Sequence, residues 1–585
     1  MYTTKKSRTI RIFVALVCLL TISLCLYLVI TFELDDAKDT DIEKPHIITI
    51  IADDMGWNDV SYHGSNEIPT PNIDALAYNG VILRNHYVLP ICTPSRTSFF
   101  TGRYAIRAGM QGFPLRAGEP RGIPLGTKLL PEYLKNLGYS TRLVGKWHLG
   151  YQSDDFTPAR RGFDTFFGYY AGYITYYNHT ITQSGQTGHD FHRDDSMGLK
   201  ADWSRQNEYA TDVFADEAVR IIEEHDGRRP LYLQLSHLAP HASDGDETLE
   251  TRNFTAVNET FHYIRDIKRR KYAGMVTALD DSVGRVMRAL SNNNLLKNSI
   301  VMLFADNGAP TLGIHENRGS NYPFRGQKQS FYEGGVHGVA CVYSPLIKNP
   351  GRIVNDLVHV TDWLPTLYNA AGGDVNDLGV IDGINQWPTI KLGQFGNRQS
   401  LLVNIDETID REAAIIGDFK LLKKGAMIPI YDSHLGSHID DGDPSVPPYN
   451  ITAIMSSPAS LAIFRTMGNY ARPKKILHLR QESKITCAPF TEIANCSEIC
   501  LFNLNTDPCE TRDISSDHPE MVELLEEFIG KYREHLMNQT NAPVDPRSYP
   551  IYHNGSWMPW MTKNQDMRFT TSARMLPDFG EFFDL

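Results

Sequence analysis

A run of seven mostly apolar residues that ends in two adjacent carboxylates limits the chain to few folds. His46–Ala52 has the pattern of a strand buried on both faces of a parallel sheet, and Asp53 and Asp54 follow it directly. Open α/β sheets bind their ligands at the carboxyl ends of the strands. Two adjacent like charges are costly unless water or a cation compensates them. The run therefore predicts either a solvated loop or a cation site at the edge of an α/β sheet.

The same arrangement recurs later in the chain. The apolar run Ser299–Ala305 ends in Asp306 and Asn307. Three carboxylates and one amide form an all-oxygen donor set, which favours Ca²⁺ over Zn²⁺. Strand and helix patterns alternate from residue 46 to about residue 371, which predicts a large mixed, mostly parallel sheet flanked by helices. We therefore assign the chain to the α/β class and expect one shared metal site.

Two further predicted strands end in basic groups. Residues 140–144 lead into Gly-Lys-Trp-His-Leu-Gly, which contains Lys146 and His148, and residues 231–235 lead into a segment with His237 and His241. A single lysine or histidine in a loop is usually only solvated. Four strand ends that deliver polar groups to one edge are a pattern that chance rarely produces. We predict that these side chains share a site with the carboxylates.

Residues 92–103, Cys-Thr-Pro-Ser-Arg-Thr-Ser-Phe-Phe-Thr-Gly-Arg, place a cysteine just before a predicted helix. Pro94 suits the first helical position, Thr93 the N-cap and Gly102 the C-terminal stop. The free N–H groups of a helix N-terminus favour an anion beside Cys92. The cysteine alone is open to two interpretations, a small buried apolar residue or a thiolate nucleophile of lowered pKa. Neither interpretation accounts for its neighbours.

Cys-x-Pro-Ser-Arg followed by Thr-Gly resembles the signature of the sulfatase family, in which the secretory pathway oxidises the cysteine to formylglycine. Phe100 stands where leucine is commoner. Gly-Lys-Trp-His-Leu-Gly and Asn-Tyr-Pro-Phe-Arg-Gly-Gln-Lys, which ends at Lys328, also resemble sulfatase motifs, and the second is most similar to the arylsulfatase B group. The resemblance covers about residues 45–537 and implies an alkaline phosphatase-like fold and a sulfuric ester hydrolase. His337 departs from the pattern, because many members have arginine there.

Carried over position by position, the resemblance implies a Ca²⁺ ion and a set of catalytic groups. The metal ligands would be Asp53, Asp54, Asp306, Asn307 and the formylglycine made from Cys92. In the family mechanism the metal activates the hydrated formylglycine, which attacks sulfur while the alcohol leaves on the opposite side. The groups that would hold the sulfate, orient the diol or transfer protons are Arg96, Lys146, His148, His241 and Lys328.

The implied substrate is a sulfated sugar, with N-acetylgalactosamine 4-sulfate units of glycosaminoglycans as the first candidate, or a small aryl sulfate. Two alternatives are weighed against this prediction. A phosphoesterase of the same superfamily uses similar metal and anion chemistry, but those relatives have serine or threonine where this chain has Cys92. A non-catalytic, carbohydrate-binding relative usually lacks a ligand or the cysteine, and here all ten positions are filled. The sequence therefore favours an enzyme that cleaves sulfate esters.

The N-terminus has the pattern of a secretory targeting segment. Basic residues precede an uncharged run over residues 12–32, and acidic residues follow it, which directs the later chain into the lumen. The length suits a signal peptide or a single-pass type II membrane anchor. Seven Asn-x-Ser/Thr sequons are typical of a glycoprotein. We expect the secretory pathway, the lysosome as destination and the formylglycine-generating enzyme as a partner during maturation. A net charge of −12 argues against nucleic-acid binding.

We expect three segments. They are residues 1–44 with the cytoplasmic tail, the signal peptide or anchor and a linker, residues 45–395 as the catalytic domain, and residues 396–585 as a smaller α+β domain with an amphipathic terminal helix over about residues 519–537. Cys487, Cys496, Cys500 and Cys509 predict two disulfides in that last segment. Three pairings are possible, and we favour Cys487–Cys496 and Cys500–Cys509 because they close short loops. Cys341 lies in an apolar run and is predicted to be buried.

Overall fold

The computed structural model describes residues 44–245, 247–425, 429–434, 436, 443–487 and 493–562. The predicted targeting run at residues 12–32, interpreted as a signal peptide or an anchor, lies outside these ranges. Within the ranges, no helix is both long and apolar enough to cross a membrane.

The described strands and α-helices follow one another along the whole chain. The strands are β1 (His46–Ala52), β2 (Val81–Leu83), β3 (His86–Tyr87), β4 (Ser140–Lys146), β5 (Thr165–Tyr169), β6 (Thr180–Gln183), β7 (Gln186–His189), β8 (His192–Asp195), β9 (Gly198–Ala201), β10 (Leu231–Ser236), β11 (Ser299–Ala305), β12 (Ala340–Tyr343), β13 (Arg352–Val354), β14 (Val358–His359), β15 (Ser400–Asp406), β16 (Arg411–Ile416), β17 (Phe419–Lys423) and β18 (Ile499–Asn503). The helices are α1 (Pro71–Asn79), α2 (Cys92–Thr101), α3 (Leu130–Asn136), α4 (Ala210–Glu223), α5 (Phe254–Thr260), α6 (Ile267–Asn292), α7 (Glu333–Val336), α8 (Trp363–Ala370), α9 (Trp387–Leu392), α10 (Ile451–Met455), α11 (Pro458–Met467), α12 (Pro473–Ser483) and α13 (Pro519–Arg533).

The large sheet has ten strands in the order β13-β2-β12-β11-β1-β10-β4-β5-β8-β9. Its central strands, from β11 to β5, run parallel, whereas β12 and β8 pair antiparallel with β11 and β5. β1 is buried throughout because Ile48 and Ile50 enter one apolar layer while Ile47 and Ile51 enter the other. The prediction of a mixed, mostly parallel sheet is confirmed.

Helices cover both faces of this sheet. One layer contains α1, α4 and α6 together with α10, α11 and α12, and the other contains α2, α3, α8 and α9. The long α6 presents an apolar stripe to the sheet, and Met275, Leu279 and Val286 on it are fully buried. Burying one side chain of this size stabilises the fold by roughly 1.5–3 kcal/mol. The two layers thus hold the strand ends in fixed positions.

A second, antiparallel sheet has the order β15-β16-β17-β18. One face packs against α13 through Leu525 and Ile529, which confirms the amphipathic terminal helix. That helix ends at Arg533 and not near residue 537 as predicted. The other face packs against Phe331 and Tyr332, which belong to the segment that follows β11. The small sheet is therefore held against the large one.

A buried ion cluster joins the two sheets. The ammonium of Lys420 on β17 lies 2.8 Å from a carboxylate oxygen of Glu333 and 2.8 Å from one of Glu510. Burial raises the pKa of Glu510 to about 7 against the opposing effect of Lys420. Burial also opposes ionisation of Glu333, but Lys420 and His337 lower its pKa to about 2. The charge of this cluster therefore changes near neutral pH, at Glu510.

The disulfides pair differently from the prediction. The structure has Cys487–Cys509 and Cys496–Cys500, with Cα–Cα distances of 5.9 and 5.5 Å, so the predicted pairs Cys487–Cys496 and Cys500–Cys509 are wrong. Cys500 stands at the start of β18, and the chain just before this strand places Cys496 beside it. Which cysteines can bond depends on the distance between their Cα atoms, and loop length alone does not fix that distance. Cys341 is free and buried, as predicted.

Candidate active site

Four adjacent strands bring the predicted polar residues to one edge of the large sheet. In the sheet order these strands are β11, β1, β10 and β4. Because they are parallel, their carboxyl ends meet at the same edge. The buried residues at or just beyond these ends are Asp306 and Asn307, Asp53 and Asp54, His241, and Lys146 and His148. The structure therefore gathers the strand-end residues that the sequence singles out, with the exception of His237.

Three buried carboxylates lie against three cations. The closest contacts are Lys146 Nζ to Asp53 Oδ2 at 2.7 Å, Lys328 Nζ to Asp54 Oδ2 at 2.7 Å and Arg96 Nη2 to Asp306 Oδ2 at 2.8 Å. Arg96 Nη2 also lies 3.7 Å from Asp53 Oδ1. These six side-chain charges sum to zero when all are ionised. Burial raises the pKa of Asp54. Burial and the negative charge of Asp53 both raise the pKa of Asp306. A divalent cation would favour the ionised carboxylates and give the site a net positive charge.

The oxygen atoms at this site fit a hard cation. Asp53 Oδ1 and Asn307 Oδ1 are buried and have no hydrogen-bond partner in the described part of the chain. Asn307 Nδ2 donates to Asp54 Oδ1 at 2.5 Å, which leaves the amide oxygen free. Unpartnered buried oxygens are costly, and oxygen donors are what Ca²⁺ prefers. The residues present are therefore compatible with the predicted calcium site.

His241 is close enough to offer a nitrogen ligand as an alternative. One of its ring nitrogens and carboxylate oxygens of Asp53 and Asp54 lie within 4.8 Å of one another. However, Nδ1 lies 2.5 Å from the carbonyl oxygen of Ala242 and must donate to it. The remaining nitrogen, Nε2, accepts from Lys328 Nζ at 3.3 Å. We therefore favour the all-oxygen set for the cation.

His148 and His241, the two predicted histidines of the site, are neutral. Burial lowers the pKa of His241 far below its usual value, and the nearby ammonium of Lys328 adds to the effect. Burial and Lys146 act in the same way on His148. His148 Nε2 donates to the carbonyl oxygen of Leu115 at 2.8 Å, so Nδ1 is the acceptor nitrogen. Each ring thus holds one proton in a fixed position and keeps one lone pair.

Cys92 begins α2, and Ile91 is the N-cap. The predictions of Thr93 as the N-cap and Pro94 as the first helical residue are wrong, because the helix already begins at Cys92. The Thr93 hydroxyl instead accepts from the Leu115 backbone N–H at 3.0 Å and lies 3.2 Å from His148 Nε2. Gly102 ends the helix with φ 65°, as predicted. Burial raises the pKa of the free Cys92 thiol despite nearby lysines. An unmodified thiol at this position is therefore not poised as a thiolate nucleophile.

His237 and His241 have different surroundings. His237 follows β10 directly, and its Nε2 lies 2.8 Å from the hydroxyl of Ser282 on α6. Its ring is part of the contact between the sheet and the helix layer. His241 Nε2, in contrast, lies 3.2 Å from Asp54 Oδ2. The structure thus separates the histidine that resembles the family position from its neighbour.

Two residues of the site carry no sequence signal. Asn317 Nδ2 donates to the main-chain oxygens of Asp54 at 2.9 Å and Pro240 at 3.1 Å, which ties two strand-end loops together. The His315 ring lies 5.5 Å from that of His241 and 4.7 Å from that of Tyr173. Both belong to an irregular segment after β11 without periodicity or a motif. A sequence pattern could not have found them.

The site lies in a cleft of about 610 Å³. Cys92, His148, His241 and Lys328 line it, and other walls come from residues 111–117, residues 181–185 and the small sheet. Ligand-binding clefts typically measure roughly 300–1,000 Å³. The cleft is therefore large enough for a small organic ligand that presents an anionic group to the buried cations.

Comparison with known proteins adds a family assignment. The sulfatase family profile matches residues 45–373. Arylsulfatase J of Mus musculus is 36% identical over 537 residues, covering 90% of this chain and 82% of the relative. N-acetylgalactosamine-6-sulfatase of Homo sapiens is 29% identical over 392 residues, covering 65% of this chain and 71% of the relative. The crystal structure of Ps i-CgsB has a TM-score of 0.64 at 23% identity, with 93% of this chain and 100% of that chain covered, and it shares the fold.

Proposed function

Because this chain belongs to the sulfatase family and is a sulfuric ester hydrolase, we propose that it removes sulfate from sulfated sugars with a formylglycine made from Cys92 and a Ca²⁺ ion. The observation that carries the proposal is the buried cluster of three carboxylates and three cations beside Cys92. Two of its oxygens lack a hydrogen-bond partner among the described residues. Such a cluster suits a divalent cation that in turn binds an anion.

The Ca²⁺ ion would be held by Asp53, Asp54, Asp306, Asn307 and residue 92. When bound, it supplies Lewis-acid polarisation of a sulfate oxygen and of the nucleophile. The side chains contribute no net charge of their own, so a divalent ion leaves the site at about +2. A buried positive site attracts the singly charged sulfate ester more strongly than water-exposed groups could, because buried charges are little screened.

Formylglycine at residue 92 would supply, in its hydrated form, an oxygen nucleophile. The Cys-x-Pro-Ser-Arg motif and the position of Cys92 in the cleft support this modification. The raised pKa of the thiol supports it as well, because a thiol that stays protonated is a poor nucleophile. Arg96 and Lys146, each bonded to a carboxylate, would orient the modified side chain. We propose the formylglycine-generating enzyme as the partner that installs it.

Lys328 and His241 would bind the sulfate and protonate the departing alcohol. Burial opposes the charge of Lys328, but Asp54 raises its pKa, so its ammonium stays charged and can donate a hydrogen bond to the sulfate. Its Nζ lies 3.3 Å from His241 Nε2, within hydrogen-bond distance, so the two side chains would act together on the sulfate ester. His148 would act at residue 92 through Nδ1, since its Nε2–H is held by Leu115. His241 would thus act at the departing alcohol and His148 at the nucleophile.

The substrate would be a sulfate ester of N-acetylgalactosamine in a glycosaminoglycan. Resemblance to the arylsulfatase B group supports the 4-sulfate, whereas one relative is named for the 6-sulfate of the same sugar. The experiment is a sulfate-release assay with protein secreted by a eukaryotic host. We would test an aryl sulfate, an aryl phosphate and defined oligosaccharides with either ester, and we would identify residue 92 by peptide mass spectrometry.

We expect an aldehyde at residue 92, turnover of the aryl sulfate and a preference for one of the sugar esters. Cys92→Ala is the matched control and should be inactive although folded. An active preparation with an unmodified thiol would refute the formylglycine proposal. Faster hydrolysis of the aryl phosphate than of the aryl sulfate would refute the substrate class.

We propose that the protein acts in the secretory pathway, with the lysosome as its destination, and carries glycans. The asparagines of six sequons are exposed, whereas Asn258 is half-buried. Glycosidase treatment of the secreted protein should therefore lower its apparent mass. Alkaline carbonate extraction distinguishes an anchored chain, which stays in the pellet, from one with a cleaved signal peptide. The division at residues 395 and 396 into a catalytic and a smaller domain is likewise a proposal.

A further inference from the structure

One wall of the cleft carries buried polar side chains that the proposed sulfate chemistry does not use. They are Gln111, Asn404 on β15 and Arg411 at the start of β16, with exposed fractions of 2%, 3% and 5%. Residues on β15 and β16 bring the small sheet into the cleft wall. This wall therefore joins the reacting site to a separate part of the fold.

Arg411 is a buried cation without a carboxylate partner among the described residues. One guanidinium nitrogen, Nη1, donates to the main-chain oxygen of Gln329 at 3.2 Å, and the group lies over the Phe331 ring at 4.4 Å. Nε and Nη2 find no hydrogen-bond partner in the described ranges. Burial lowers the pKa of Arg411, and the charges of Asp432 and Asp406 offset only part of this decrease. Leaving a buried charge unpaired is strongly unfavourable.

The acidic residues nearest in the fold are already engaged. Asp406 stands directly opposite Arg411 in the β15–β16 ladder. Its Oδ1 accepts from Gln539 Nε2 at 2.6 Å and from the Thr408 hydroxyl at 2.7 Å. Asp432 Oδ1 accepts from the hydroxyl of Ser330 at 2.7 Å. These neutral donors leave both carboxylates charged, but no ion pair joins either of them to Arg411 in the described part of the chain. We therefore expect a ligand in the cleft to supply the direct partner that the guanidinium lacks.

Two amide oxygens beside Arg411 also lack partners among the described residues. Asn404 donates Nδ2 to the main-chain oxygen of Gln111 at 3.0 Å, and Gln111 donates Nε2 to Glu407 at 3.0 Å and to the Met537 carbonyl at 2.9 Å. These bonds fix both amides with Asn404 Oδ1 and Gln111 Oε1 unused. Unused acceptors in the same cleft lining as an unpaired guanidinium match a ligand with hydroxyl donors and an anionic group, as in an acidic sugar.

We propose that Arg411, Asn404 and Gln111 form a second carbohydrate subsite, which binds an anionic sugar next to the one that carries the scissile sulfate. The subsite adjoins the reacting site because Gln329, which Arg411 contacts, directly follows Lys328. The anionic group is a carboxylate or a second sulfate, since a guanidinium pairs with both in the same way. This inference rests on the proposed function and specifies its substrate class.

The test compares substrates that do or do not reach the subsite. A trisaccharide with a sulfated N-acetylgalactosamine linked to glucuronate carries the carboxylate. Its carboxyl-reduced analogue, with glucose in that position, lacks the charge, and a third form carries a sulfate on that glucose. 4-Methylumbelliferyl sulfate serves as a small ester without a neighbouring sugar. The wild type, Arg411→Met and Arg411→Lys are each assayed for kcat/KM on all four.

We expect the wild type to prefer one charged trisaccharide over the reduced one by about tenfold to a hundredfold, as for a hydrogen bond to a charged group. Which charged form is preferred identifies the carboxylate or the sulfate as the ligand. Arg411→Met should abolish the preference for a charged trisaccharide, and its kcat/KM for the small ester should fall much less. Arg411→Lys should keep part of the preference. Asn404→Ala should lower kcat/KM by the same factor for all three trisaccharides, because it removes a contact to hydroxyls.

Equal losses on all four substrates in Arg411→Met would show that Arg411 only supports the fold, which would overturn the subsite. The wild-type comparison of charged and reduced trisaccharides needs no substitution, so it decides the question even if Arg411→Met fails to fold. A wild type that hydrolyses the small ester but does not distinguish the trisaccharides overturns the subsite alone. A wild type that hydrolyses no sulfate ester overturns the proposed function as well.

Discussion

We expect Ca²⁺ to stabilise the folded protein and Asp306→Asn to remove most of this effect. A ligand that binds only the folded state raises the free energy of unfolding by about 2.7 kcal/mol at a hundredfold excess over its Kd, and by about 1.4 kcal/mol for each further tenfold. Asp53 Oδ1 and Asn307 Oδ1 have no hydrogen-bond partner among the described residues, and they are the atoms that bound Ca²⁺ would satisfy.

The size of the effect follows from the charges at the site. Three carboxylates balance Arg96, Lys146 and Lys328, so Asp306→Asn leaves the empty site at +1. Two unit charges about 4 Å apart interact by about 4 kcal/mol at an effective dielectric constant of 20, and a divalent ion feels more. We therefore expect the Kd for Ca²⁺ to rise by at least a factor of about 1,000, which corresponds to about 4 kcal/mol.

The assay is urea unfolding of chelator-treated protein, followed by intrinsic fluorescence over a series of Ca²⁺ concentrations. Asp226→Asn is the matched control, because it removes one carboxylate from an exposed loop position and leaves the site untouched. The wild type and this control should gain stability with Ca²⁺, whereas Asp306→Asn should not. An unfolding midpoint of the wild type that is independent of Ca²⁺, or an equal gain in Asp306→Asn, would refute the calcium assignment.

Three further substitutions test the chemistry and the contact between the sheets. Cys92→Ser should fold but lose at least about 1,000-fold in turnover of an aryl sulfate, which corresponds to a barrier higher by about 4 kcal/mol, because serine has one hydroxyl where hydrated formylglycine has two and so cannot expel a sulfate ester formed on it; wild-type turnover would contradict this. Lys420→Met should lower the free energy of unfolding in urea by about 3–5 kcal/mol, because it removes the ammonium between Glu333 and Glu510; a loss below about 1 kcal/mol would refute the cluster. The pKa of Glu510 is raised from 4.5 to about 7 in the folded protein, so the stability that its protonation contributes is full below pH 4.5 and is lost as the pH rises through 7. The difference in free energy of unfolding between the wild type and Glu510→Gln should therefore shift towards the wild type by up to about 3 kcal/mol between pH 8 and pH 4.5, and a difference independent of pH would contradict this.

The fold class could be predicted because buried strands leave a direct trace in the sequence. A strand covered by helices on both faces has apolar side chains on both faces, as β1 and β11 do. The polar group that follows each run is placed by the strand itself, so Asp54 and Asn307 could be assigned to one edge without knowing any contact. The same reasoning applies to Lys146, the last residue of β4.

Features that depend on how distant segments meet could not be predicted. The cysteine pairing follows from where β18 starts relative to residue 487, which no local pattern records. Threonine is a residue type that favours the N-cap position, but the Thr93 hydroxyl instead contacts His148 and the backbone N–H of Leu115. Asn317 and Arg411 enter the site from irregular chain and from a separate sheet. Tertiary contacts override the local preference in each case.

His337, where the sequence departs from the family pattern, also has a role that only its tertiary contacts reveal. Its Nδ1 lies 2.7 Å from Glu333 Oε2, and its Nε2 lies 2.5 Å from the main-chain oxygen of Arg84. Glu333 is also the residue that Lys420 of the small sheet contacts. An imidazole reaches both partners, so among the described residues His337 supports the small sheet only through Glu333. If the proposed second subsite exists, we expect the departure from the family pattern to act on it indirectly, through the Glu333–Lys420 contact and the position of the small sheet, because His337 touches none of the reacting groups.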